Sequence, residues 1–168
     1  MRRIATTLVL LAMVVGSAPA LPQRDLGLHR IDGTVDLIWT AREADDSGGW
    51  IAAYSMRGRL DRGREGDETL LAGWDFRCDG VMGGAGDWIE EETGTCRFEG
   101  EAASHFAARL AATPGPWGTT MLRIEFHDGS GAYRTLHGDG TIERLMHLPF
   151  GSPVGWGFLT GTVAWHRD

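Results

Sequence analysis

The sequence contains no lysine, and arginine alone supplies its 16 basic residues, against 23 acidic residues. The formal net charge is therefore −7 at pH 7. An acidic surplus of this size keeps a small protein soluble and disfavours binding to nucleic acid or to anionic lipid. We expect neither as a partner.

Long hydrophobic runs are also missing, apart from Leu8–Val15. That run is too short for a permanent membrane helix, which needs about 20 apolar residues. It follows Arg2 and Arg3 and precedes small residues ending at Ala20, which is the order of a Sec signal peptide. We expect cleavage after Ala20, which leaves residues 21–168 as one periplasmic or secreted domain. Loss of the two arginines makes the net charge of the mature chain −9.

Cysteine is scarce: Cys78 and Cys96 are the only two, with 17 residues between them. The spacing is not that of a C-x-x-C redox motif, and two thiols without a close histidine pair do not make a zinc site. In an oxidising compartment the two thiols are expected to form a structural disulfide. The chain-entropy model gives such a bridge about 3 kcal/mol of stabilisation.

The motifs of several large enzyme classes are absent. There is no G-x-S-x-G, no H-E-x-x-H and no Walker sequence, so the sequence lacks the signatures of α/β-hydrolases, zinc proteases and P-loop NTPases. We expect no cofactor. The glycine-rich segment Gly80–Asp87 lacks the lysine of a phosphate-binding loop, and we interpret it as a flexible connection.

Alternation of apolar and polar residues predicts β-strands through most of the mature chain. The clearest case is Ile31–Trp39, where every second residue is apolar or glycine. Strands separated by turns at intervals of about ten residues predict an all-β fold, a single antiparallel up-and-down barrel of about eight strands. Residues 101–112 are compatible with a helix or a strand, and their position between strands favours a strand.

Three consecutive acids, Glu90, Glu91 and Glu92, fall on a predicted strand. Side chains on a strand point alternately to its two faces. One of these carboxylates is a candidate site residue, but we predict a solvated edge.

The stretch Gly129–Glu143 contains G-S-G-A-Y-R-T-L-H-G-D-G-T. We predict a tight corner, a short strand, a second corner and the start of another strand. The pattern resembles the G-T-G-x-[FY]-x-x-[ILA]-x-G-x-G element of small secreted barrels of the allene oxide cyclase, dirigent and related calycin-like groups. Gly94–Phe98 resembles a G-x-C-x-[FY] strand of bacterial exported relatives. The resemblance implies a barrel whose glycines permit tight corners and bending.

The interior of an eight-stranded barrel is either filled by side chains or holds one small ligand. We expect a non-catalytic protein that binds a small apolar ligand or has a structural or interaction role. The alternative is a barrel cyclase or isomerase. The sequence does not indicate an oligomeric state. The candidate ligand-binding residues are Trp74, Trp88, Trp117, Tyr133 and Trp156.

His127, His137 and His147 are ten residues apart, about one strand and one turn. They are therefore candidates to lie side by side on neighbouring strands. With Asp128, Asp139 or Glu125 nearby, such a row would bind a transition metal or perform acid–base chemistry near neutral pH. The alternative is three unrelated histidines on an outer face.

Overall fold

The computed structural model describes residues 27–61, 71–100, 104–149 and 152–167. The predicted signal peptide, residues 1–20, lies outside these ranges. The described chain contains nine strands and one 3-10 turn, Gly131–Tyr133. The strands are β1 (Gly27–Ala44), β2 (Gly49–Leu60), β3 (Asp75–Ala85), β4 (Trp88–Glu99), β5 (His105–Ala112), β6 (Gly115–Pro116), β7 (Thr119–His127), β8 (Leu136–His147) and β9 (Val154–Arg167).

Eight of the strands close into an antiparallel barrel. Their order is β3-β2-β1-β9-β8-β7-β5-β4, and β4 pairs with β3 to complete the circle. The two-residue strand β6 pairs only with the start of β4. Closure leaves no free sheet edge among the eight strands, which is the usual way in which an all-β fold protects its backbone groups. The predicted all-β barrel of about eight strands is confirmed.

The middle of the barrel is filled by side chains. The predicted alternation holds, for example in β7, where Leu122, Ile124 and Phe126 are buried and the intervening residues are exposed. A residual cavity of only about 10 Å³ remains between the disulfide and its apolar neighbours. Near one end the interior is filled by a cluster of aromatic side chains, in which the ring centroids of Phe126 and Trp165 are 4.7 Å apart. A small ligand therefore has no room in the central part of the interior.

Cys78 and Cys96 form the predicted disulfide. They are directly opposite each other in the β3–β4 ladder, and both side chains are buried inside the barrel. The bridge therefore joins the two strands whose pairing completes the barrel. It indicates an oxidising environment outside the cytosol.

The prediction of a flexible connection at Gly80–Asp87 is wrong. Residues up to Ala85 belong to β3, paired with β2 on one side and β4 on the other. Glycine is used here because the neighbouring strands approach closely. A Cβ on Gly80 would lie 2.6 Å from the Thr93 carbonyl oxygen. The glycines therefore serve packing in a strand.

The predicted second corner in Gly129–Glu143 is also wrong. A corner exists at Gly131, which has a φ of 60° in the 3-10 turn, but β8 then runs without interruption through Gly138 and Gly140. A Cβ on Gly138 would lie 2.6 Å from the Trp165 ring. The glycine makes room for an indole inside the barrel.

Residues 105–112 form a strand, as favoured from their position; residues 101–103 lie outside the described ranges. β5 pairs with β4 and β7, so the ambiguity is decided by tertiary pairing and not by intrinsic propensity. Among the described residues there is no helix with the length and apolarity needed to span a bilayer.

Replacing both cysteines, in Cys78→Ala/Cys96→Ala, is expected to lower the free energy of unfolding by about 3 kcal/mol, because the bridge restricts the unfolded chain. Urea unfolding followed by far-ultraviolet circular dichroism measures the change. The folded spectrum should be retained, since β3 and β4 remain paired by their ladder. A loss below about 1 kcal/mol would contradict this expectation.

Candidate functional site

The two ends of the barrel differ. One end carries the β1–β2, β3–β4 and β8–β9 turns together with β6. The opposite end carries the β7–β8 connection, where Tyr133 packs against Trp74 and Phe106. These rings, with their centroids 5.4–5.8 Å apart, cover the interior at the second end.

At the first end the strands and turns surround an open cavity of about 560 Å³, which we call the tryptophan cup. A volume of a few hundred cubic ångströms is typical of small-molecule sites. The cup is lined by Trp39, Arg42, Trp50, Gly86, Asp87, Trp117, Leu148, Pro149, Ser152 and Pro153.

Three half-buried indoles form the apolar part of the cup. Trp117 lies at the centre, stacked on Trp39 with ring centroids 5.1 Å apart and planes 29° apart. Trp50 meets Trp117 edge to face, at 5.9 Å and 84°. Both arrangements are favourable for aromatic rings. The indoles therefore hold one another in place and present one flat surface and one perpendicular wall.

Backbone contacts fix the cup to the surrounding turns. The indole Nε1 of Trp50 donates to the Gly86 carbonyl oxygen at 3.0 Å. The backbone N–H of Trp39 donates to Pro153, and that of Trp117 to Asp87. The indoles are thus tied to both the β3–β4 and β8–β9 turns.

The turn between β1 and β2 is held by Asp45. Its Oδ1 accepts hydrogen bonds from the backbone N–H groups of Ser47 and Gly49, and from the Ser47 hydroxyl at 2.6 Å. The Ser47 hydroxyl, followed by these backbone groups, holds the pKa of Asp45 below its usual value. The carboxylate form thus orders the hairpin that carries Arg42 and Trp50.

A buried ion pair crosses the barrel interior. Arg144 on β8 donates from Nη1 and Nη2 to the two carboxylate oxygens of Glu92 on β4, at 2.6 and 2.7 Å. Both side chains have zero exposure. Burial by itself lowers the pKa of Arg144, but the Glu92 carboxylate outweighs this and raises it, so that the guanidinium stays charged.

The prediction of a solvated edge at Glu90–Glu92 is wrong for Glu92. The β3–β4 register shifts where Gly83 is opposite Glu91 and Gly84 is opposite Ile89, so Glu90 has no partner and forms a bulge. The bulge leaves Glu90 and Glu91 exposed and turns both Ile89 and Glu92 inward.

Tyr54 completes the group that we call the buried polar cluster, Tyr54, Glu92 and Arg144. Burial raises the pKa of Tyr54 and the negative charge of Glu92 adds to the effect, so the phenol stays neutral. Its hydroxyl and the Arg144 Nε are both buried, and the phenol lies close enough to Glu92 and Arg144 to interact with both. A Cβ on Gly80 or Gly94 would come within 2.6 and 2.9 Å of the Tyr54 oxygen, so both positions need glycine.

Strand register places the buried polar cluster next to the tryptophan cup. Trp39 is directly opposite Tyr54 in the β1–β2 ladder. Thr120 is opposite Arg144 in the β7–β8 ladder, and its hydroxyl donates to the Trp117 carbonyl oxygen at 3.5 Å. The charged pair therefore lies beneath the indoles, while the cup itself is lined by other residues.

The structure separates the five predicted ligand-binding residues. Trp117 lies in the cup. Trp88 and Trp156 are about half exposed, at 49% and 53%, and neither lines the cup. Trp74 and Tyr133 belong to the aromatic group at the opposite end. The five therefore do not form one site.

The three histidines do not lie side by side on neighbouring strands. His137 and His147 are the second and last residues of β8, about 33 Å apart along a strand at the usual rise. His127 is bound through Nδ1 to Asp128 Oδ2 at 2.7 Å. His147 packs on Trp156, with ring centroids 5.2 Å apart. In the part of the chain that the structure describes, no three His, Cys, Asp or Glu side chains group as metal ligands would.

Sequence reasoning missed Trp39, Trp50 and Arg42 as site residues. The signal was present, since Trp39 and Trp50 each fall on the inward side of a strand and flank the polar, glycine-containing segment that joins β1 to β2. Inward tryptophans at the ends of adjoining strands lie at a barrel mouth, and mouths are frequent ligand sites. The bulge that turns Glu92 inward has no comparable sequence signal.

Comparison with known proteins gives no family from which a function could be inferred. No protein-family model matches the sequence, and no curated protein is significantly similar to it.

Replacing Arg144 alone, in Arg144→Met, is expected to cost about 3–5 kcal/mol, because it leaves a buried carboxylate without its partner. The double variant Glu92→Met/Arg144→Met should recover most of that loss, since apolar side chains of similar volume often replace buried ion pairs at little cost. Urea unfolding of the two single variants and the double variant measures the coupling. Additive losses would contradict a direct interaction between the two side chains.

Proposed function

We propose that this protein is an exported small β-barrel that binds a small apolar, aromatic molecule in the tryptophan cup without transforming it. The observation that carries the proposal is the set of three mutually packed indoles, Trp39, Trp50 and Trp117, kept half-buried around a cavity of about 560 Å³. Apolar surface left open in a concave, preformed site is typical of ligand binding.

The cup suits a flat ligand. Trp39 and Trp117 are nearly parallel to each other, and Trp50 stands almost perpendicular to Trp117. A planar ring lying on one indole face can meet the edge or face of another, and both contacts are favourable. Because hydrogen bonds fix the backbone of Trp39 and Trp117 and the indole of Trp50, little conformational entropy is lost on binding.

The charged groups favour binding over catalysis. General acid–base catalysis requires a titratable group within hydrogen-bond reach of the bound substrate. Glu92 is bound by two hydrogen bonds to Arg144 and is shielded from the cup. At the lining of the cup, the charged residues are Arg42 and Asp87. A barrel cyclase or isomerase would need one of these rim groups to reach the reacting atoms.

Export is supported by the disulfide and by the signal-peptide pattern of residues 1–20. The closed barrel agrees, at the level of fold, with the resemblance to the allene oxide cyclase, dirigent and calycin-like groups. The binding proposal depends on the cup and not on that resemblance.

Calorimetric titration of the protein with 2-naphthamide, a flat and uncharged probe, tests the proposal. We expect saturable binding at one site, and we expect Trp117→Ala to weaken it by about tenfold, because the central indole contacts the ring and supports its two neighbours. Trp117→Phe should give an intermediate affinity. Circular dichroism verifies that each variant is folded.

Trp156→Ala is the matched control, since it removes an indole that is 53% exposed and outside the cup. Its affinity for 2-naphthamide should equal that of the unmodified protein. The proposal is overturned if no heat of binding is detected, or if Trp156→Ala and Trp117→Ala have the same effect.

A further inference from the structure

One side chain of the tryptophan cup has a charge that the proposed apolar ligand does not explain. Arg42, two residues before the end of β1, places its guanidinium carbon 5.8 Å from the centre of the Trp50 ring. This distance is within the range of a cation–π contact. The indole of Trp50 is itself held by its hydrogen bond to Gly86. The cation is therefore set against a fixed wall of the cavity.

Arg42 is not paired with an acidic side chain in the ranges that the structure describes. Other arginines on the barrel surface are paired, for example Arg30 with Asp32 and Arg97 with Glu99. Arg42 forms no ion pair with a carboxylate among the described residues, although Asp87 lines the same cavity. Its planar guanidinium, which presents a fork of N–H donors suited to a carboxylate, is free to receive one.

A cationic ligand does not fit this arrangement. Three indoles would otherwise suit a quaternary ammonium group, which binds over aromatic faces. In the cup, however, Arg42 already occupies a position over Trp50 and repels a second cation. The site supplies its own cation, and the parts of Trp39 and Trp117 that their mutual stack does not cover remain for a neutral ring.

A ligand with several negative charges is disfavoured as well. Asp87 lines the cavity, and the whole chain has a net charge of −7. Both oppose the approach of a polyanion such as a nucleotide. One carboxylate, directed at Arg42 and away from Asp87, has the best balance of attraction and repulsion.

We infer that the ligand of the tryptophan cup is a planar aromatic monocarboxylate, with its ring against Trp39 and Trp117 and its carboxylate bound by Arg42. This inference rests on the proposed function and adds the charge and orientation of the ligand. The ring enters the apolar part of the cup, and the acid group remains at the rim where Arg42 is exposed.

A pair of probes of the same shape tests the inference. 2-Naphthoate and 2-naphthamide differ in charge but hardly in size, so their ratio of affinities reports the carboxylate alone. We expect the protein to bind 2-naphthoate about fivefold more tightly, the upper range for an ion pair that remains accessible to solvent. Calorimetric titration at about 20 mM salt measures both affinities, since higher salt screens such a pair.

Arg42→Gln should bring the ratio of the two affinities close to one, because most of the loss falls on 2-naphthoate. Arg42→Lys keeps the charge but not the planar fork, and should retain a part of the preference. Arg57→Gln is the matched control. It removes one exposed arginine from the neighbouring strand β2, outside the cup, and should leave the ratio at about five.

Three results would overturn the inference while leaving the proposed function intact. They are equal affinities for the two probes in the unmodified protein, an unchanged preference in Arg42→Gln, and tighter binding of 2-naphthyltrimethylammonium than of 2-naphthoate. Failure of every probe to bind would contradict the proposed function, and this inference with it.

Discussion

The ion pair between Glu92 and Arg144 is the interaction on which the end of the barrel that contains the tryptophan cup depends. In the sheet, β5 and β7 lie between the strands that carry these two residues, so the contact passes through the interior and not along a ladder. Two charges without exposure are tolerated only when each satisfies the other, because the desolvation of either one alone costs several kcal/mol. The ion pair therefore fixes the position of β4 relative to β8, in addition to apolar packing. The bulge at Glu90 is the local change in backbone that makes the pairing possible.

The tryptophan cup lies next to the part of the interior that contains the buried polar cluster. Below the charged pair, apolar and aromatic side chains fill the barrel, and above it three indoles remain half-buried. A fully apolar interior would favour continued packing up to the mouth. The buried polar cluster interrupts that packing and provides a rigid layer beneath Trp39 and Trp117. The cavity thus exists because its walls are braced by their own ring contacts and by the turns around them.

Much of the fold could be predicted from the sequence. In segments such as Ile31–Trp39, apolar residues recur with a period of two because one face of the strand is buried. The disulfide could be predicted from the presence of just two cysteines in a chain expected to be exported. The glycines were harder to interpret: Gly80 and Gly138 indicated loops and corners, whereas both lie within strands against large side chains. Local sequence does not reveal a partner that comes from a distant strand. For the same reason, the burial of Glu92 could not be predicted from local sequence. It depends on an arginine 52 residues away and on a one-residue bulge.

The filled middle of the barrel also determines how a molecule would exchange with solvent. Because apolar and aromatic side chains fill the described middle of the barrel, a molecule in the cup would enter and leave by the same mouth. Exchange at one mouth fits the proposed binding role. The hairpin that Asp45 orders stands at that mouth.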